Sequence, residues 1–109
     1  MNKAVAYERT NDVDQSKVEK QIMDICKYAS KNDFEIVKIY IDQAVSGLEK
    51  EPPMYNRMMG EHEADVIIVT HIDRISRDRM LLTRRLRHIM NDDFSIHSTE
   101  RGELNGIFL

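Results

Sequence analysis

Val66-Ile67-Ile68-Val69 runs into Thr70-His71-Ile72 and then into Asp73-Arg74-Ile75-Ser76-Arg77-Asp78. Four consecutive apolar residues with β-branched weight read as a strand buried on both faces, and therefore as a central one, here expected over 64–72. After Asp78 the pattern changes to helical spacing through Met80, Leu81, Leu82, Leu86, Ile89 and Met90, so a helix is expected over 78–91 with those residues inward and the arginines outward. Two acids and two arginines therefore stand where a strand ends and a helix begins. Such a junction suits phosphate chemistry, because helix N-termini carry unpaired N–H groups and arginine binds phosphate in a bidentate fork.

Working outward, the same alternation recurs. Ala4 to Tyr7 is a strand candidate, followed by a polar turn through Asn11, Asp12 and Asp14 that caps a helix from Val13 to about Lys31. Val18, Ile22, Ile25, Cys26 and Ala29 form the inward face of that helix, so Cys26 is expected to be a buried small hydrophobe. Glu35 to Asp42 reads as the second strand, and 44–53 as a loop containing Ser46-Gly47 and Pro52-Pro53. Pro53 opens a short helix through Met54, Tyr55, Met58 and Met59 that stops near Gly60, and Phe94 to Ser98 is a fourth strand. The expected fold is α/β: a mostly parallel central sheet of about four strands flanked by helices, in three layers like a Rossmann sheet.

In such a sheet ligands sit at the carboxyl ends of the strands. Asn11 and Asp12, Asp42, Asp73 and Arg74, and Glu100 all fall there. The 109 residues carry a net charge of −3, which argues against a protein whose whole surface grips nucleic acid. Six of the nine arginines nevertheless lie between Arg74 and Arg87, a local basic face compatible with DNA contact and equally with a merely solvated helix. No apolar run approaches the roughly 18 residues of a membrane span, and the expected compartment is the cytoplasm. His62, His71, His88 and His97 fall at no zinc-ligand spacing.

Several blocks match one family together. Tyr7-Glu8-Arg9-Thr10-Asn11-Asp12-Val13-Asp14-Gln15 resembles the Tyr-x-Arg-Val-Ser-Thr-x-x-Gln opening of the serine recombinase (resolvase/invertase) catalytic domain. Asp42 with Val45-Ser46-Gly47 resembles that family's Asp and Ser-Gly loop. The stretch from Ala64 to Asp78 is similar to its Asp-Val-(apolar)-Lys-Leu-Asp-Arg-Leu-x-Arg-Asp block, and Phe94, Ser98 and Glu100 fit the family's next strand and the acid at its end.

The resemblance implies a metal-free, cofactor-free phosphoryl transfer in which a serine attacks a DNA phosphodiester and arginines stabilise the transition state. It assigns that stabilising role to Arg9, Arg74 and Arg77, proton exchange or arginine positioning to Asp73, and support to Asp42 and Gln15. Tyr7, Gln15, His71, Arg79 and Arg84 are the further candidates for DNA or phosphate contact. The implied partners are DNA, bound weakly by this chain alone, and further copies or active recombinase relatives in an oligomer. The implied organisation is a single domain over 1–109 that ends before the family's long dimerisation helix and DNA-binding module.

Three positions depart from the pattern. The serine column holds Asn11, whose carboxamide has no hydroxyl to deprotonate. Pro52 stands where an arginine is expected, and His71 where a lysine is. Thr10 is the nearest hydroxyl, but neighbouring residues of an extended chain point to opposite sides. The expectation is a domain that kept the fold and lost strand cleavage, acting in regulation or as an accessory. Two other classes remain open: a Mg²⁺-dependent phosphotransfer or receiver-like domain using Asp12, Asp42 and Asp73, and a protein-interaction module.

Overall fold

A computed structural model describes residues 2–11, 14–61 and 64–104. Asp12, one of the candidate metal ligands, and His62 lie outside them. Among the described residues five strands, β1 (Asn2–Thr10), β2 (Phe34–Gln43), β3 (Val66–Val69), β4 (Ser95–Ser98) and β5 (Gly102–Leu104), form one sheet in the order β2-β1-β3-β4-β5. The first four pair in parallel, and β5 returns antiparallel along β4 with Ile96 opposite Leu104. The sheet is thus one strand larger than expected. β3 is its middle strand, and all four of its residues are buried.

Among the described residues three α-helices cover the sheet: α1 (Gln15–Lys31), α2 (Pro53–Glu61) and α3 (Arg79–Asn91). The two-residue period of β1 sorts its side chains between the layers. Ala4 and Ala6 pack with Ile25 and Ala29 of α1, while Val5 and Tyr7 pack with Tyr55 and Met58 of α2 and Leu86 and Ile89 of α3. Small alanines on one face let α1 approach closely, and the larger residues on the other fill the space beneath two helices.

Each helix start has an acidic cap. Asp14 accepts from the Ser16 amide, and Asp78 Oδ1 accepts from the Leu81 amide at 3.0 Å. For α2 the cap comes from a distant strand: Asp42 Oδ1 accepts from the Met54 amide at 2.9 Å and Oδ2 from the Tyr55 amide at 3.0 Å.

Four sequence expectations need correction. The third strand ends at Val69, and Ile72–Arg74 forms a single 3-10 turn. Cys26 is exposed, because the inward stripe of α1 runs through Ile25 and Ala29 and leaves its neighbour on the flank. On α3, Met80 is 74% exposed while Arg85 is buried. The Arg85 guanidinium is needed inside: it donates to the carbonyls of Ile75, Glu49 and Lys50 and lies over the Tyr55 ring. A charged side chain thus replaces water as the partner of three loop carbonyls.

Candidate active site

The carboxyl ends of β1 and β3, with the turn after β3, bring three arginines together. Arg9 is the last large residue of β1 and only 1% exposed. Its Nη1 donates to Asn11 Oδ1 at 3.0 Å and to the Val45 carbonyl at 3.1 Å, and its Nη2 donates to the Asp73 carbonyl at 2.9 Å. Burial, then the neighbouring Arg74 and Arg77 charges, lower its pKa, yet a guanidinium remains charged at any working pH. Arg74 donates from Nη1 to the Arg9 carbonyl at 3.1 Å, so the two arginines are tied through main chain.

Arg77 is held by its backbone. Its amide donates to the Gly47 carbonyl at 2.9 Å, and the Ser76 hydroxyl donates to the same oxygen at 3.2 Å. The side chain then crosses Gly47 so closely that a Cβ there would lie 2.6 Å from Arg77 Cγ and 2.9 Å from Arg9 Nη2. Only glycine leaves room for both arginines at this loop.

The remaining groups of this edge line a cleft of about 410 Å³ with Arg74 and Arg77: Asp24, Thr70, His71, Asp73, Thr99 and Glu100. His71 Nδ1 accepts from the Asp73 amide at 3.0 Å, which leaves the proton of the neutral ring on Nε2, 3.6 Å from Glu100 Oε2. Asp73 itself is exposed, with Oδ2 3.5 Å from His71 Nδ1. Asn11 is exposed, and its carboxamide oxygen is the acceptor for Arg9.

The structure does not bring all expected residues here. Tyr7 is fully buried and donates to Asp42 Oδ2 at 2.7 Å, so it offers nothing to a bound phosphate. Burial first, and then Asp42, push the Tyr7 hydroxyl far above the ordinary tyrosine range. Asp42, 2% exposed, is committed to Tyr7 and the α2 amides beneath the surface. It cannot join Asp73 around a metal ion, and among the described residues no three His, Cys, Asp or Glu side chains are grouped to hold one. Gln15 stands exposed at the start of α1, while Arg79 and Arg84 line a separate open groove along α3. Thr10 is 5% exposed within β1 and is not presented to the cleft.

Comparison with known proteins identifies the scaffold. The model of the resolvase N-terminal domain family matches residues 4–106. The chain belongs to the resolvase family. Its fold agrees with that of the N-terminal catalytic domain of TP901-1 integrase at a TM-score of 0.84 and 22% identity, over 90% of this chain and 78% of that one. A resolvase family site-specific recombinase from Streptococcus pneumoniae gives 0.77 at 25% identity, over 94% of this chain and 74% of the other. The C-terminal catalytic domain of ISC1926 TnpA, an IS607-like serine recombinase, gives 0.80 at 23% identity, over 89% and 67% respectively. No curated protein sequence matches the chain.

Two features of this resolvase domain escaped the sequence reading. Glu8, between Tyr7 and Arg9, is completely buried and accepts from the Thr70 amide at 2.9 Å. The only signal was an acid directly following the apolar run Ala4 to Tyr7. Arg85 was placed among the outward arginines, and the three carbonyls that draw it inward leave no trace in local pattern. Among the described residues, no helix is long and apolar enough to cross a membrane.

Proposed function

We propose that this resolvase-family domain associates with DNA through a phosphate site formed by Arg74 and Arg77 over Arg9, and that it does not cut the strand. The carrying observation is the contact between Asn11 Oδ1 and Arg9 Nη1 at 3.0 Å. At the position where the family resemblance expects a nucleophile, the side chain is a carboxamide turned as an acceptor toward the arginine cluster. Its nitrogen lone pair is delocalised, so it forms no phosphoester-type bond with DNA. Arginine, by contrast, needs no nucleophile to hold a phosphate in a forked contact.

The domain then acts in recombination as a regulatory or accessory subunit in the cytoplasm, pairing with itself or with cleavage-competent relatives. His71 adds a ring N–H donor to the cleft, and Asp73 positions the turn that carries Arg74. Gln15, Arg79 and Arg84, away from the cleft, are available to flanking phosphates.

Salt dependence of binding to duplex DNA is the test. Each neutralised phosphate contributes a slope of about −0.9 in log K against log salt. The Arg74→Gln variant should bind more weakly and with a slope shallower by about one such contact. A flat salt response in the unaltered protein would favour a domain that binds only other proteins.

A further inference from the structure

Glu8 is the buried ionisable group that the phosphate site leaves unexplained. Its Oε1 accepts from the Thr70 amide, while Oε2 has no hydrogen-bond partner among the described residues. That oxygen faces Arg74 Nε at 3.6 Å, and Arg74 Nε has no hydrogen-bond partner among them either. A carboxylate held without water is costly unless a cation stands beside it. Arg74 is that cation, with Arg9 next in the chain. Since Arg74 Nη1 is taken by the Arg9 carbonyl, the same guanidinium is divided between an interior acid and the cleft.

We infer that Glu8 is an internal counter-ion to Arg74 and that it weakens the hold of the arginine cluster on a phosphate. The inference rests on the reading of the cleft as a phosphate site. An anion docked on the outer edge of Arg74 and the Glu8 carboxylate on its inner edge are like charges separated by one guanidinium. At an effective dielectric of about 20 and a separation of roughly 8 Å across the guanidinium, their repulsion changes anion affinity about thirty-fold per negative charge. The coupling is reciprocal: whatever Glu8 costs the anion, the anion costs the charged form of Glu8.

Burial already raises the Glu8 carboxyl above the usual carboxylate range, against the opposing pull of the Thr70 contact, Arg74 and Arg9. Arg74 faces it from the 3-10 turn and Arg9 flanks it on β1. Asp24 of α1, His71, Asp73 and Arg77 after β3, and Glu100 after β4 are the ionisable groups that line the cleft beyond. A device of this kind keeps a basic site from holding phosphate too firmly to release it.

Sulfate, whose charge is fixed across the working pH range, is the probe, followed by NMR titration. Glu8→Gln preserves the volume and the acceptor for the Thr70 amide, and should bind sulfate about thirty-fold more tightly than the unaltered protein. In the unaltered protein, saturating sulfate should raise the pH midpoint of the Glu8 carboxyl carbon signal. Equal or weaker sulfate binding by Glu8→Gln overturns the counter-ion role, as does a Glu8 midpoint that bound sulfate leaves unmoved. Failure of the unaltered protein to bind sulfate, with the Arg74 and Arg77 signals static, overturns the phosphate site itself and this inference with it.

Discussion

Replacing Asp42 by alanine should destabilise the domain severely while leaving the chemistry of the cleft alone. The carboxylate receives three hydrogen bonds, from the Tyr7 hydroxyl at 2.7 Å and from the Met54 and Tyr55 amides at 2.9 and 3.0 Å. Losing the cap of α2 costs about 1 kcal/mol. Stranding the Tyr7 hydroxyl in a site where Tyr7 is 0% exposed costs about 2 kcal/mol more. The sum, about 3 kcal/mol, corresponds to a fall of roughly 15 °C in Tm for a domain of this size. Urea denaturation at constant m-value measures it directly. Tyr7→Phe removes the donor without stranding a group, so it should cost only about 1 kcal/mol. It should also relieve part of the Asp42→Ala loss in the double variant. A loss below about 1 kcal/mol for Asp42→Ala, or strict additivity with Tyr7→Phe, would refute the structural assignment. Loss of DNA affinity by the folded Asp42→Ala variant would return Asp42 to the binding site.

Gly47→Ala should displace Arg77 and Arg9, because the added methyl would meet Arg77 Cγ at 2.6 Å; DNA affinity should fall several-fold with little change in the helical circular dichroism. Arg85→Met should cost about 2 to 4 kcal/mol in urea, since the Ile75, Glu49 and Lys50 carbonyls lose their shared donor. Burial lowers the His97 pKa, with Glu103 opposing, so the unfolded chain takes up a proton first as the solution is acidified. The His97 contribution is therefore present above pH about 6.5 and lost as pH falls through its lower folded value, which a His97→Gln variant should abolish in urea midpoints compared across that range. Asn11→Ser alone should yield little covalent DNA adduct on a denaturing gel, because Pro52 still occupies the position where the family resemblance expects an arginine.

What could be read in the sequence was what depends on local pattern. The run Val66 to Val69 announced a strand buried on both faces, and it is the middle of the sheet. Asp14 announced a helix start because capping is a short-range hydrogen bond, whereas Asp78, read as the first residue of its helix, proves to be its cap. Long-range pairing was not legible. Asp42 lies at a strand end, where polar residues usually serve a ligand. It is turned inward because β1 and β2 set Tyr7 opposite Tyr40 and Arg9 opposite Asp42, while α2 begins directly over it. The three-residue β5 has too little pattern to be seen; it forms because Gly102, at φ 77°, turns the chain back onto β4. Arg9, Arg74 and Arg77 were named from motif spacing, but the clamp around them was not. The Gly47 crossing and the Glu8 carboxylate emerge only when β1, the Ser46-Gly47 loop and the turn after β3 meet.

The most direct test of the account is the intact mass of the denatured protein after equilibration with duplex DNA at a salt concentration where retardation shows it bound. Binding without covalent linkage predicts the unmodified mass, 12.8 kDa for these 109 residues. A species heavier by an attached DNA strand would contradict the account, because it would require a nucleophile in a site whose expected position is Asn11.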